Sequence, residues 1–178
     1  ARPSDHDVIR ETAQQCGITK FHAIVAGGST RQESVMCGLR ALSKGTTMIA
    51  VHDGARPLVK PEHIAQVIRD ASVFGGATLG VPVKDTIKVV NDHLIVDTPY
   101  RPHLFITQTP QVFKRQLYFE AVTFAEEHAL DFTDDCQLIE AINCKVYMTE
   151  GDYTNIKITT PEDIAIAEIL LARQKEEA

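Results

Sequence analysis

The segment Thr47-Met48-Ile49-Ala50-Val51-His52-Asp53-Gly54-Ala55-Arg56-Pro57 decides the fold class of this chain. Its first five residues form an apolar, β-prone run that reads as a buried strand. An acid, a flexible Gly and an Arg then leave the strand's C-terminal end together. In open α/β sheets ligands bind at that end. Asp53 can hold a hydroxyl or help neutralise a metal ion. Arg56 offers a planar, permanent cation suited to a phosphate. Pro57 fixes the chain direction just beyond. Taken alone, the junction reads equally well as a strand-to-loop turn with a surface ion pair.

The flanking sequence supplies the rest of the α/β pattern. Phe21–Ala26 reads as a strand ending at Gly27-Gly28. Thr30 and Glu33 form a T-x-x-E capping box for a helix whose apolar stripe is Val35, Met36, Leu39 and Leu42. Pro61 suits the first turn of another helix, buried through Ile64, Val67, Ile68 and Ala71 and ended by Gly75-Gly76. Residues 77–81 make a further short strand. Strands alternating with helices predict a mostly parallel sheet covered on both faces. Between Asp85 and Arg101 the pattern changes. Thr86, Lys88 and Val90 lead to a polar break at Asn91-Asp92, and Leu94-Ile95-Val96 follows. This reads as a β-hairpin arm, whose exposed Ile and Val imply a partner surface. Phe105–Gln108 returns to the sheet. Helices follow near 115–127 and from Thr133, which caps a start where Asp134 and Asp135 favour the positive helix end. Residues 145–148 are a strand. Thr160-Pro161 opens a last helix with Ile164, Ala167, Ile169 and Leu170 turned inward.

Composition narrows the function. At 178 residues the chain fits one domain, 1–178, with a sizeable core. A formal charge of −6 argues against a general nucleic-acid binder but allows a local cationic pocket. Cys16, Cys37, Cys136 and Cys144 show no C-x-x-C pair and no zinc spacing, so they read as inert thiols. No run approaches the roughly 18 apolar residues of a membrane span. No signal peptide is visible.

Four further segments act together with His52–Pro57. They are Gly27-Gly28-Ser29-Thr30-Arg31-Gln32-Glu33-Ser34-Val35, Val81-Pro82-Val83-Lys84-Asp85-Thr86-Ile87-Lys88, Gln108-Thr109-Pro110-Gln111-Val112-Phe113 and the stretch from Gly151-Asp152-Tyr153-Thr154-Asn155-Ile156-Lys157 to Asp163. In this order they resemble the 2-C-methyl-D-erythritol 4-phosphate cytidylyltransferases of the non-mevalonate isoprenoid pathway. Ribitol-5-phosphate cytidylyltransferases share the layout, but Ala55 and the V-K-D-T-I-K segment look more like the methylerythritol enzymes. The family opens with a strand and a Gly-rich loop that wraps the CTP triphosphate. No such loop occurs in these residues. The expectation is therefore an N-terminally truncated chain, weakly active or inactive by itself.

The resemblance implies a Rossmann-like three-layer α/β/α nucleotidyltransferase fold with residues 85–101 as a protruding dimerisation arm. It implies transfer of CMP from CTP to methylerythritol phosphate, with Mg²⁺ held mainly by the CTP phosphates and no metal ligand assigned to the protein. Catalysis falls to Asp53, Arg101 and Lys157. Arg56, Thr86 and Thr109 would face the sugar phosphate. Gly27, Gly28, Arg31 and Ser34 would serve the nucleotide. Alone, the glycines read as a tight turn, Lys157 as an outward strand residue and Arg101 as a solvated arm residue. His52 and the other His residues read as structural or surface. Asp152 reads as a turn residue and is left out of the metal set. The expected partners are CTP, the sugar phosphate and a second copy of the chain, with no nucleic acid and no membrane. The expected compartment is the cytoplasm, or the plastid for a plant source. The alternatives are the ribitol-5-phosphate enzyme and an inactive nucleotide-fold fragment. Pyrophosphate release with each sugar phosphate separates them.

Overall fold

The computed structural model describes residues 1–176. A 3-10 turn leads into α1 (His6–Gln15), and residues 21–30 lead without regular secondary structure to α2 (Arg31–Arg40). The Thr30 side chain accepts from the Glu33 N–H, so the helix is capped where the sequence places it, while the Glu33 carboxylate reaches back to Ser29 N at 2.6 Å. Next come β1 (Met48–Val51), α3 (Pro61–Phe74) with Pro at its first turn, and β2 (Gly76–Pro82). Gly75 ends α3 at φ +93°, a conformation that favours glycine. Then follow β3 (Val89–Asn91), β4 (Leu94–Asp97) and β5 (Phe105–Lys114). The chain closes with α4 (Arg115–Glu127), α5 (Asp135–Ala141), β6 (Tyr147–Glu150) and α6 (Pro161–Glu176).

The main sheet is mixed, in the order β1-β5-β2-β6. β5 runs antiparallel to both neighbours, and only β2 and β6 pair in parallel. This corrects the expectation of a mostly parallel sheet. The helical crossovers do keep β1, β2 and β6 pointing the same way. β5, entered from the hairpin, fills the slot between β1 and β2 in the opposite sense. Helices cover both faces. Val112 packs with Val67, Ala71, Ala77 and Leu79 under α3. Its neighbour Phe113 points the other way, into a core with Ile49, Tyr118, Ala121 and Ile139 under α4 and α5. That is the two-residue period of a strand buried on both faces.

Several sequence expectations shift. Phe21–Ala26 is not a strand among the described residues. Its ladder-like bonds are to Ala1, from the Ala1 amine to Val25 O at 3.0 Å and from Gly27 N to Ala1 O at 3.0 Å. β-propensity without a neighbouring strand does not make a sheet. In α6, Ile164 and Ile169 are 51% and 59% exposed and only Ala167 is buried. Apolar residues surround this helix at 164, 166, 169, 170 and 171, so one core-facing stripe cannot take them all. The cap of α5 is Asp134, which accepts from Gln137 N, while Thr133 donates to the Gln137 side chain. The hairpin turn falls on Asp92 and His93, both at positive φ, one residue later than the expected break. β6 likewise starts two residues beyond its expected position. No described helix is long and apolar enough to cross a membrane.

Candidate active site

β5 shapes the site by leaving its own ladder. Its pairing with β2 jumps from Thr78↔Gln111 to Gly80↔Thr107, so residues 108–110 bulge out. Pro110 has no N–H to give a ladder, which suits it to a bulge. The β1–β5 ladder ends at Val51↔Gln111. Beyond it the Thr109 hydroxyl takes over, accepting from Asp53 N at 3.0 Å and meeting His52 Nδ1 at 2.9 Å. The freed Thr109 carbonyl accepts from Asn155 Nδ2 at 3.0 Å.

The loop after β1 turns back on itself, with Arg56 N donating to Asp53 O at 3.0 Å. Arg56 is thereby brought beside Asp53, its Nε 3.4 Å from the carboxylate. The loop after β6 arrives from the other side. Gly151 lets it pass close to β2, because a Cβ there would collide with the Gln108 side chain and press on the Gly80 backbone. Asp152 anchors it, bonding Lys60 Nζ at 2.8 Å and accepting from Thr154 N at 2.8 Å. Burial raises the Asp152 pKa, but Lys60 and Thr154 outweigh it and draw the value down to about 2. Ile158 N donates to Ala55 O at 2.8 Å and joins the two loops. Lys157 then lies 3.1 Å from Asp53.

Asp53 therefore faces two cations. Burial favours its protonated form, but Lys157 and then Arg56 overcome that and hold its pKa below the ordinary carboxylate value. These three residues line a cleft of about 160 Å³ together with Thr109, Gln111 and Arg31.

Arg31 reaches the cleft from the glycine-rich turn. Glu33 accepts from Ser29 N at 2.6 Å, and Ser34 Oγ accepts from Gly28 N at 3.1 Å and donates to Thr30 O at 2.9 Å. A Cβ on Gly28 would collide with Glu33, so the turn needs glycine for its own packing. The Arg31 guanidinium pairs with Asp135, which also accepts from the Tyr118 hydroxyl. Asp135 is 1% exposed, and its N–H donates to Gln111 Oε1 at 2.9 Å. The sequence reading took Asp135 for a helix-start residue. It is also the buried anchor of Arg31. Burial disfavours the Arg31 charge, and the Asp135 carboxylate reverses that, raising its pKa.

Of the residues singled out from sequence, Asp53, Arg56, Thr109, Lys157 and Arg31 converge on the cleft. Gly28 lines a neighbouring groove with Glu33 and Met36, and Ser34 braces its turn. Thr86 and Arg101 stand at the base of the hairpin, outside the cleft lining, and Arg101 Nη1 donates to Lys84 O at 3.0 Å. Asn155, Gln111 and Asp135 were not picked out as site residues. The sequence signal was there, since Asn155 and Gln111 sit inside the quoted motifs. Among the described residues no group of three or more His, Cys, Asp or Glu side chains is placed to hold a metal.

Residues 3–173 match the family model for 2-C-methyl-D-erythritol 4-phosphate cytidylyltransferase. A protein of that description from Caldanaerobacter subterraneus subsp. tengcongensis is 46% identical over 169 residues, covering 92% of this chain and 74% of its own. One from Pelotomaculum thermopropionicum is 44% identical over 175 residues, covering 97% and 74%. Among solved structures, 4-diphosphocytidyl-2C-methyl-D-erythritol synthase from Anaerococcus prevotii superposes with a TM-score of 0.86 at 32% identity, covering 96% of this chain and 78% of that one. The Thermus thermophilus 2-C-methyl-D-erythritol 4-phosphate cytidylyltransferase gives 0.75 at 34% identity, covering 85% and 77%.

Proposed function

The chain belongs to the 2-C-methyl-D-erythritol 4-phosphate cytidylyltransferase family, and we propose that its cleft around Asp53 is where CMP, taken from CTP, is joined to 2-C-methyl-D-erythritol 4-phosphate with release of pyrophosphate. The observation that carries this reading is the convergence of Lys157, at 3.1 Å, and Arg56, at 3.4 Å, on one carboxylate at the C-terminal end of a sheet strand.

The substrate's phosphate oxygen attacks the α-phosphorus of CTP. A new P–O bond forms, the bond to the β-phosphate oxygen breaks, and pyrophosphate leaves with the electron pair. Charge spreads over non-bridging oxygens, so cations and alignment matter more than a covalent nucleophile. Lys157 and Arg101 would hold the substrate's phosphate, each charge-assisted bond contributing about 1.5–3 kcal/mol. Asp53 would receive substrate hydroxyls while keeping Lys157 and Arg56 apart from each other. Arg56, Thr86 and Thr109 would border the sugar. The turn of Gly27, Gly28 and Ser34 would lie against cytosine, and Arg31 would brace it. Mg²⁺ would come held by the CTP phosphates and water, with Asp53 close to it, as the family resemblance implies. When bound it would offset triphosphate charge.

The arm belongs to the same reading. Val89, Val90, Leu94, Ile95 and Val96 are all exposed on a two-stranded hairpin that pairs with no other strand among the described residues. Such a hairpin is marginal alone. A two-fold dimer would cover both arms by the same contacts and carry Thr86 and Arg101 toward the partner's cleft.

Pyrophosphate release from CTP tests the reaction, with methylerythritol phosphate and ribitol 5-phosphate run side by side. The protein is assayed with the whole of its natural chain. Release with methylerythritol phosphate is expected. Preference for ribitol 5-phosphate would reassign the substrate, and release with neither sugar would remove the reading.

A further inference from the structure

We propose that His52 and Asn155 are positioning residues, which set the spacing of Asp53, Arg56 and Lys157 through a closed ring of hydrogen bonds and touch no substrate themselves. The proposal rests on the cleft being the sugar-phosphate site.

Four bonds make the ring. Thr109 Oγ1 meets His52 Nδ1 at 2.9 Å, and His52 Nε2 meets Arg56 O at 3.1 Å. Arg56 Nη1 donates to Asn155 O at 2.8 Å, and Asn155 Nδ2 donates to Thr109 O at 3.0 Å. The proton positions follow from the partners. A carbonyl can only accept, so the His52 proton sits on Nε2, facing Arg56 O. In the neutral ring Nδ1 is then a bare acceptor, and the Thr109 hydroxyl spends its one hydrogen there. That oxygen in turn accepts from Asp53 N at 3.0 Å. The Asn155 amide is oriented the same way, because Nδ2 faces two acceptors, Thr109 O and Gln108 Oε1.

The ring ties together three segments far apart in sequence: the loop after β1, the bulge of β5 and the loop after β6. Both bonds of His52 end on groups that orient cleft residues, the Arg56 carbonyl and the hydroxyl holding Asp53 N. Asn155 fixes the Arg56 guanidinium through its carbonyl and stands two residues before Lys157. It is 1% exposed, whereas His52 is an exposed side chain. An exposed histidine with both ring nitrogens committed contributes little to stability but can hold a loop in register. Small misplacements of reacting groups are costly in rate.

His52→Ala provides a test that does not endanger folding. Its KM for methylerythritol phosphate should rise about tenfold while the KM for CTP stays within about twofold and the melting temperature barely moves. His52→Asn keeps an acceptor near Nδ1, and His52→Gln a donor near Nε2, so each should recover part of the loss. Asn155→Ala should raise the same KM but also lower the melting temperature. If it does not fold, the His52 series decides. The ¹⁵N spectrum of His52, recorded at alkaline pH where the ring is neutral, should show the proton on Nε2, and Thr109→Val should shift the Nδ1 signal. An Nδ1–H tautomer, or no response to Thr109→Val, overturns the ring whatever the enzyme turns over. An unchanged KM in His52→Ala overturns the positioning role. Failure of the unaltered protein with either sugar phosphate overturns the functional reading instead, because the spectrum needs no substrate.

Discussion

The Lys157 ammonium rests 3.1 Å from the Asp53 carboxylate, and Lys157 is still 47% exposed. A salt bridge this open to solvent contributes little to stability. Its consequence is functional. In the proposed reading an arriving phosphate would share Lys157 with Asp53.

Replacing Asp53 tests that sharing. Asp53→Ala should cut turnover by about two orders of magnitude or more, because alignment is lost. The melting temperature should change little, since the residue is a strand-end group outside both hydrophobic cores. Calorimetry beside the pyrophosphate assay checks this. Normal activity with an unchanged melting temperature removes Asp53 from the site, and a collapse of stability makes it structural.

Lys157→Ala should raise the KM for the sugar phosphate more than that for CTP. In the proposed reading Lys157 would act as a point charge on the substrate's own phosphate. Should only the CTP constant move, Lys157 faces the wrong phosphate in the present reading.

Asp152 supplies a pH dependence. Its folded pKa lies at about 2 against an ordinary 3.8. A depressed carboxylate stabilises the fold above its unfolded pKa and loses that contribution as pH falls through the folded value. The stability gap between the native chain and Asp152→Asn should therefore be constant above about pH 5 and close toward pH 2. Denaturant melts across that range measure it, and a gap that widens in acid contradicts the assignment.

The arm is tested by mixing subunits. Arg101→Ala and Asp53→Ala chains, each expected to be inactive by itself, are co-refolded. If Arg101 serves the partner's cleft, one site of the heterodimer carries both changes and the other neither, so about half the native activity per heterodimer returns. No recovery with the heterodimer confirmed places Arg101 in its own subunit, where it already bonds Lys84 O, or outside the reaction.

The sequence by itself determined what short-range chemistry controls. The Thr30 cap, Pro61 at a helix start, Gly75 at a helix end and the Asp53–Arg56 turn all depend on neighbours within a few residues, and all are present as read. The five motifs likewise determined the family. Tertiary structure alone decided the sense of β5, the failure of Phe21–Ala26 to join the sheet and the outward Ile164 and Ile169. It also decided that Arg31 ends on Asp135 and that Asn155 closes on Thr109. Strand propensity says that a segment can pair, but the pairing depends on which sheet edge lies beside it. A buried carboxylate or amide is likewise defined by its partner, and the partners here come from segments that only the folded chain brings together.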